Sequence, residues 1–442
     1  MRLVHLPYGD GVVELNAPDH AVVVEPASLP AVVDARDAVR AALERPDGAP
    51  RLRELARGAR TATIVINDIT RPSPSRLLVE GLLEELASGG VSEDGVILLV
   101  ATGNHRPNTD RELEGMLGSD LCRRLRIVNH DGLDPAGLVA LGETPRGVPV
   151  EVNRLVVERD LTILTGNIGP HQTAGFSGGR KSIMPGLASE RALRTHHSYP
   201  IRSLLPVMGE LMDNVFHQES VAAARIVGVD FIINSVKNSR GEIVAVLAGD
   251  LEAAHLRGVE QCTAAWQVTV DRLVDVAIVS AGGYPKDIDL HQAQKAIAAA
   301  ELVTRKGGAI VLVAECRDGT GKFARALLKA PDPQTMIDRF LAEGFRGDEH
   351  TSKAYMFARA ILDHPTFIVS DRLSADEIEG MFMHHASSVS DALHEALALV
   401  GHTASVLIAP HAVDCLFSVA AGGRTLEPMA AGHTVTESLS SR

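Results

Sequence analysis

Short apolar runs alternate with amphipathic stretches almost from one end of the chain to the other. TATIVIND (61–68), GVILLVATG (95–103) and LTILTGN (161–167) read as buried strands: each is short, rich in β-branched residues and ended by Gly, Asn or Asp. Between the first two, SRLLVEGLLEELASGG (75–90) sets Leu78, Leu82 and Leu86 on one helical face, and its glycine pair supplies a C-cap. DFIINSVKNSRGEIVAVLAGD (230–250) has two apolar runs around NSRG, the pattern of a hairpin. A second series begins at VDVAIVSAGG (274–283), followed by a helix from about Asp289 and the runs GAIVLVAEC (308–316), TFIVSD (366–371) and SVLIAPH (405–411). Strands alternating with helices predict an α/β protein whose mainly parallel sheets are covered on both faces. The pattern divides into an N-terminal α/β domain, 1–268, a C-terminal α/β domain, 269–412, and a tail, 413–442, expected to pack back on the first domain.

Composition narrows the partners. The 442 residues are 45% hydrophobic and 22% charged, enough to bury an ordinary core. A net charge of -13 argues against nucleic acid or an anionic membrane as main partner. No apolar run approaches the roughly 20 residues of a membrane span, and Pro7, Gly9, Asp10 and Gly11 interrupt the N-terminus before a signal-peptide core can form. Cys122, Cys262, Cys316 and Cys415 make no CxxC pair, which disfavours thiolate zinc and a disulfide framework and fits a reducing, cytoplasmic setting.

In open α/β sheets ligands bind beyond the carboxyl ends of the strands, and the unusual polar residues cluster there. Asp68-Ile69-Thr70-Arg71-Pro72 follows the first strand; its carboxylate and guanidinium can pair together or face a ligand together. Thr102-Gly103-Asn104-His105-Arg106-Pro107 places a histidine, with a free pKa near neutrality, at the next strand end. The richest stretch runs from Gly166 through His171 and AGFSGGRKSIMPG (174–186): Gly175, Gly178 and Gly179 with Ser177 allow close backbone approach and a phosphate cradle, flanked by Arg180 and Lys181. It matches neither GxxxxGK[ST] nor GxGxxG. Adjacent His196 and His197 lie on a helix about 100° apart, so only one could ligate a metal approached from one side. Finally GGYPKDIDLHQAQK (282–295) enters a helix capped by Asp287 or Asp289, where Gln292 and Lys295 share a face and His291 is i, i+4 from Lys295. A helix N-terminus with an amide and a lysine suits a carboxylate. His384-His385 reads as part of a loop.

Taken in this order, DITRP (68–72), GNHRP (103–107), PHQTAGFSGGRKSIMPG (170–186), His197 and GGYPKDIDLHQAQK (282–295) make the chain resemble the lactate racemase family, whose members use a nickel-pincer nucleotide. The resemblance implies two α/β domains with the site in the cleft between them and the cofactor on the first. It implies Lys181 as the thioamide-linked attachment point of the pyridinium-3-thioamide-5-thiocarboxylic acid mononucleotide, and His197 as the protein ligand to nickel beside the pincer's own S, C and S donors. His105 and His171 would be the acid/base pair. Arg71, Gln292 and Lys295, with His291 and Tyr355, would hold the substrate, while Asp68, Thr70, Gly175, Ser177, Gly178 and Gly179 would lie against the cofactor. Cofactor-assembly proteins would be partners.

The implied activity is racemisation of lactate or another short-chain 2-hydroxy acid: hydride leaves C2, a base takes the hydroxyl proton, and a transient 2-keto acid turns before hydride returns to its other face. Two features depart from lactate-specific members. His291 stands where tyrosine is common, and the only tryptophan, Trp266, lies outside the motifs, leaving Tyr355 in the place of a pocket tryptophan. These leave the substrate open, with malate racemisation and aldonic acid 2-epimerisation as alternatives; a non-catalytic anion-binding homologue is the alternative from another class.

Overall fold

The computed structural model describes residues 2–26, 29–71, 73–346 and 351–420. Two six-stranded sheets organise it. The first runs in the order 243–249, 231–237, 161–168, 62–67, 96–101, 126–129, parallel throughout except for the edge hairpin that closes around Asn238. The helix Ser75–Gly89 ends at Gly90 in the left-handed region (φ 104°), a conformation that favours a residue without Cβ. The second sheet is parallel throughout, in the order 384–386, 366–369, 304–313, 274–280, 406–409, 22–23. Each sheet carries a distinct apolar cluster on either face: Ile64, Leu82 and Leu98 oppose Val65, Leu99 and Ile183 in the first, and Ala277, Leu312 and Tyr355 oppose Ile278, Val311 and Phe367 in the second. Central strands buried on both sides explain the continuous apolar runs.

The division at residue 268 misplaces the first segment. The hairpin Arg2–Tyr8/Gly11–Ala17 buries Val4, Leu6 and Leu15 against the second sheet, and Val22–Val23 forms that sheet's edge. Local pattern carries no signal for such a long-range pairing. His384–Ala386 is an edge strand rather than loop. At the other end, Leu416–Val419 pairs with Gln267–Val270, and Leu416 packs with Ile168, Phe176 and Cys262 of the first half. The rest of the tail, 421–442, lies outside the described residues. Among the described residues no helix is long and apolar enough to cross a membrane.

A buried ion pair ties the helix Thr351–Asp363 to the C-terminal end of the helix Leu290–Ala300: Arg359 donates to both Glu301 oxygens at 2.9 and 2.6 Å. Removing one partner strands the other charge in the core. We expect Arg359→Leu to cost about 3–5 kcal/mol in urea unfolding, and the double variant Glu301→Leu/Arg359→Leu to recover most of it. A single variant as stable as the native chain would contradict this reading of the pair.

Candidate functional site at the strand ends

The end of strand Ala62–Asn67 brings Asp68 under the loop that follows Val96–Ala101. Asp68 is buried, and its Oδ2 lies 2.6 Å from His105 Nδ1 while Oδ1 accepts from the Thr70 hydroxyl at 2.8 Å. Arg71 donates to the Thr70 carbonyl and hydroxyl oxygens at 3.2 and 3.0 Å. An ionised carboxylate only accepts, so it fixes the His105 ring with the proton on Nδ1 and leaves the Nε2 lone pair to the exposed side of the loop. Burial pushes the Asp68 carboxyl up, but the bonds from His105 and Thr70 outweigh it and hold the group below the usual carboxylate range.

His171 has the opposite tautomer. The backbone N–H groups of Thr173 and Ala174 both donate to its Nδ1, at 3.2 and 3.1 Å, so in the neutral ring the proton is on Nε2. Burial, followed by the charges of Lys181 and Arg71, pushes its pKa well below the histidine range. Lys181, on the 3₁₀ turn Gly179–Ser182, is likewise lowered by burial and by Arg71, Arg180 and Arg202. Arg71 and Lys181 are thus near enough to His171 for their charges to act on it.

The glycine-rich loop departs from expectation. A Cβ on Gly175 (φ 72°) would lie 2.0 Å from the Glu210 carbonyl oxygen, and one on Gly178 (φ 82°) would lie 2.7 Å from the Ile168 side chain. A Cβ on Gly179 would meet the His255 ring. Ser177 Oγ donates to the Asn167 carbonyl at 2.8 Å and accepts from Gly169 N–H at 2.9 Å. These residues are therefore close-packed against protein rather than open as a phosphate cradle. Arg180, expected beside an anion, is instead buried and donates to the carbonyls of Ala174, Phe176, Ser177 and Gly178 and to His255. It is the internal brace of the loop.

His197 caps the helix Glu190–His196, and its Nδ1 lies 3.2 Å from the Leu193 carbonyl. That acceptor keeps the proton on Nδ1 and frees Nε2 as a metal-binding lone pair, the usual arrangement of a ligating imidazole. Its neighbour His196 is engaged with the Phe216 carbonyl and the Ser220 hydroxyl in the core. Among the described residues no three His, Cys, Asp or Glu side chains converge on a metal position. A single preset imidazole beside Lys181 fits a metal that arrives with most of its own donors.

From the second half, Asp289 caps the helix Leu290–Ala300 by accepting from Gln292 N–H at 2.7 Å; Asp287 is instead buried and accepts from Gly9 and Glu315 N–H. Lys295 Nζ donates to Gln292 Oε1 at 2.8 Å, and burial and the Arg71 charge lower its pKa although its side chain remains accessible. Lys295 is thus near enough to the first half's Arg71 for the two charges to act on each other. His291 lies with its ring 6.1 Å from that of Phe323. Tyr355, expected in the substrate pocket, is fully buried; its hydroxyl donates to the Ser203 carbonyl at 3.0 Å and its ring stacks on Phe340. It presents no polar group to a ligand. Asn234, which accepts from Gly179 N–H, and the buried Arg202 and Lys353 have no counterpart in the sequence reading, because each lies outside the motifs.

Asp68 supplies a pH signature. A carboxyl depressed in the folded state contributes stability that is present above its unfolded value of 3.8 and lost as pH falls through the folded value. Asp68→Asn should cost about 1–3 kcal/mol at neutral pH and flatten the acid limb of the stability curve. It should also shift the His105 ring proton from Nδ1, read by ¹⁵N NMR. An unchanged tautomer would count against the dyad.

Residues 8–205 match the family described as the lactate racemase N-terminal domain, and residues 270–417 the lactate racemase C-terminal domain. The chain is 34% identical to the lactate racemase of Thermoanaerobacterium thermosaccharolyticum over 427 residues, covering 94% of this chain and 99% of that one. It is 36% identical to the lactate racemase of Lactiplantibacillus plantarum over 420 residues, covering 93% and 98%. Its fold superposes on the lactate racemase apoprotein from T. thermosaccharolyticum with a TM-score of 0.87 at 33% identity, over 94% of this chain and 100% of that one. Matched across both halves by family and across nearly its whole length by these relatives, the chain belongs to the lactate racemase family.

Proposed function

We propose that the chain racemises lactate or a related short-chain 2-hydroxy acid, with a nickel-pincer nucleotide attached through Lys181 and its nickel held by Nε2 of His197. Family membership makes it an isomerase of the racemase type. What supports the finer reading is that Nδ1 of His197 is bonded to the Leu193 carbonyl, leaving Nε2 for metal, and that Lys181 lies near enough to act on both His171 and His197 while Arg71 acts on His171 and Lys181.

When bound, the nucleotide supplies an electrophilic ring carbon as acceptor for the C2 hydrogen. The protein does the rest. Arg71 and Lys295, one from each half, hold the substrate carboxylate and fix C2, with the Gln292 amide beside Lys295. His105, its Nδ1–H held by Asp68, accepts the hydroxyl proton of one enantiomer at Nε2. His171 offers Nε2–H to a substrate oxygen, and to serve as base for the other enantiomer its ring must release the Thr173 and Ala174 N–H groups. The walls of the cleft exclude water from the 2-keto acid. Delivery of the nucleotide calls for cofactor-assembly proteins as partners, and a cytoplasmic setting accords with four reduced cysteines.

Two experiments test this. Lys181→Ala, co-expressed with cofactor-assembly proteins, should show the mass of the bare chain, whereas the native protein carries a covalent adduct; an adduct on the variant sinks the attachment. His105→Ala and His171→Ala should each lower racemisation about 10²–10⁴-fold, while each still forms 2-keto acid from one enantiomer in a single turnover. Equal loss of that step for both enantiomers in both variants would replace the two-histidine scheme with one shared base.

A further inference from the structure

Lys353 is a buried cation whose bonded partner is a neutral amide. It sits on the helix Thr351–Asp363 with 7% of its surface exposed, and its ammonium makes one hydrogen bond, to Gln294 Oε1 at 2.9 Å. Gln294 is itself fully buried, and its Nε2 has no partner. The main charges acting on Lys353 are the like charges of Lys295, Arg202 and Arg71 and the opposite charge of Asp289. Asp289 is engaged as the cap of the helix that carries Gln294 and Lys295. Arg202 is also buried, and its Nη2 contacts only the weak acceptor Met356 Sδ, at 2.8 Å. Burial and the neighbouring cations push the Lys353 ammonium well below the lysine range.

The substrate assigned above brings one carboxylate, which Arg71 and Lys295 take. That leaves Lys353 and Arg202 without a counter-charge in a site from which water is largely excluded, a costly state unless a ligand relieves it. Resting on the racemase reading, we propose that Lys353, with Arg202 beside it, binds a second carboxylate on the substrate, making a 2-hydroxydicarboxylic acid the preferred substrate class. The binding step is an ion pair: the ammonium supplies up to three N–H donors, one already on Gln294, and the second carboxylate accepts from the others.

The test uses the full-length protein with lactate and malate as probes. In the loaded enzyme, kcat/KM for malate should exceed that for lactate, and Lys353→Met should lower the malate-to-lactate ratio at least tenfold. The cofactor-free chain provides a readout independent of catalysis. Malate should raise its Tm more than lactate does, and Lys353→Met should abolish that difference. Methionine keeps the length of the side chain and removes a buried charge, so the variant is expected to fold, as its own Tm will show. If the loaded enzyme racemises nothing, the racemase reading fails while the Tm comparison still judges the Lys353 site. Equal Tm shifts for the two acids, or a ratio unmoved by Lys353→Met, would overturn the proposal. So would loss of the covalently bound nucleotide from Lys353→Met by intact mass, since that would assign the ammonium to the nucleotide phosphate.

Discussion

The brace that Arg180 places inside its own loop is the interaction on which the site depends. A guanidinium buried among neutral oxygens is costly. Here four backbone carbonyls and His255 meet its fork of donors. The fork folds residues 174–178 back on themselves, which presents the Thr173 and Ala174 N–H groups to His171 and sets Lys181 at the next turn. The close contacts at Gly175 and Gly178 follow from the same fold: a loop wrapped this tightly around a planar cation has no room for Cβ where its backbone meets Glu210 and Ile168.

Electrostatics then shapes what the cleft can hold. Cations from both halves act on one another, Arg71 and Lys181 from the first and Lys295 and Lys353 from the second, and Asp68 and Asp289 are each engaged with their own neighbours. A chain of net charge -13 thus concentrates positive potential in one place, which recruits small anions while the rest of the surface repels large ones. Crowded cations lower one another's pKa values, and a bound carboxylate reverses that effect.

The three histidines at the cleft share a chemistry and differ in their partners. A carboxylate holds His105, two backbone N–H groups hold His171, and a backbone carbonyl holds His197. An acceptor at Nδ1 frees the Nε2 lone pair, and a donor at Nδ1 forces the proton onto Nε2. One residue type is accordingly preset in two ways: an Nε2 lone pair left free on His105 and His197, and an Nε2–H donor on His171.

Much of this was legible in the chain itself. The apolar runs at 62–67, 96–101, 161–168 and 274–280 are buried on both faces, so their composition alone marks them as central parallel strands. The strand ends carry Asp68, His105, His171 and Lys181 because the carboxyl edge of such a sheet is where a ligand fits. Gln292 and Lys295 meet because helical spacing brings i and i+3 together. Contacts distant in sequence were not legible. Nothing local tells that the hairpin 2–17 packs on the second sheet and Val22–Val23 forms its edge, that Tyr355 turns its hydroxyl to Ser203, or that Glu210 closes over Gly175. Nor does the sequence reveal that Arg180 is an internal brace, or that Lys353 stands beside Gln294 with no carboxylate bonded to it. Residue type and periodicity specify which elements form and which chemistry is available. Only the tertiary structure decides which donor meets which acceptor, because burial and hydrogen-bond partners come from segments that the chain's local order does not bring together.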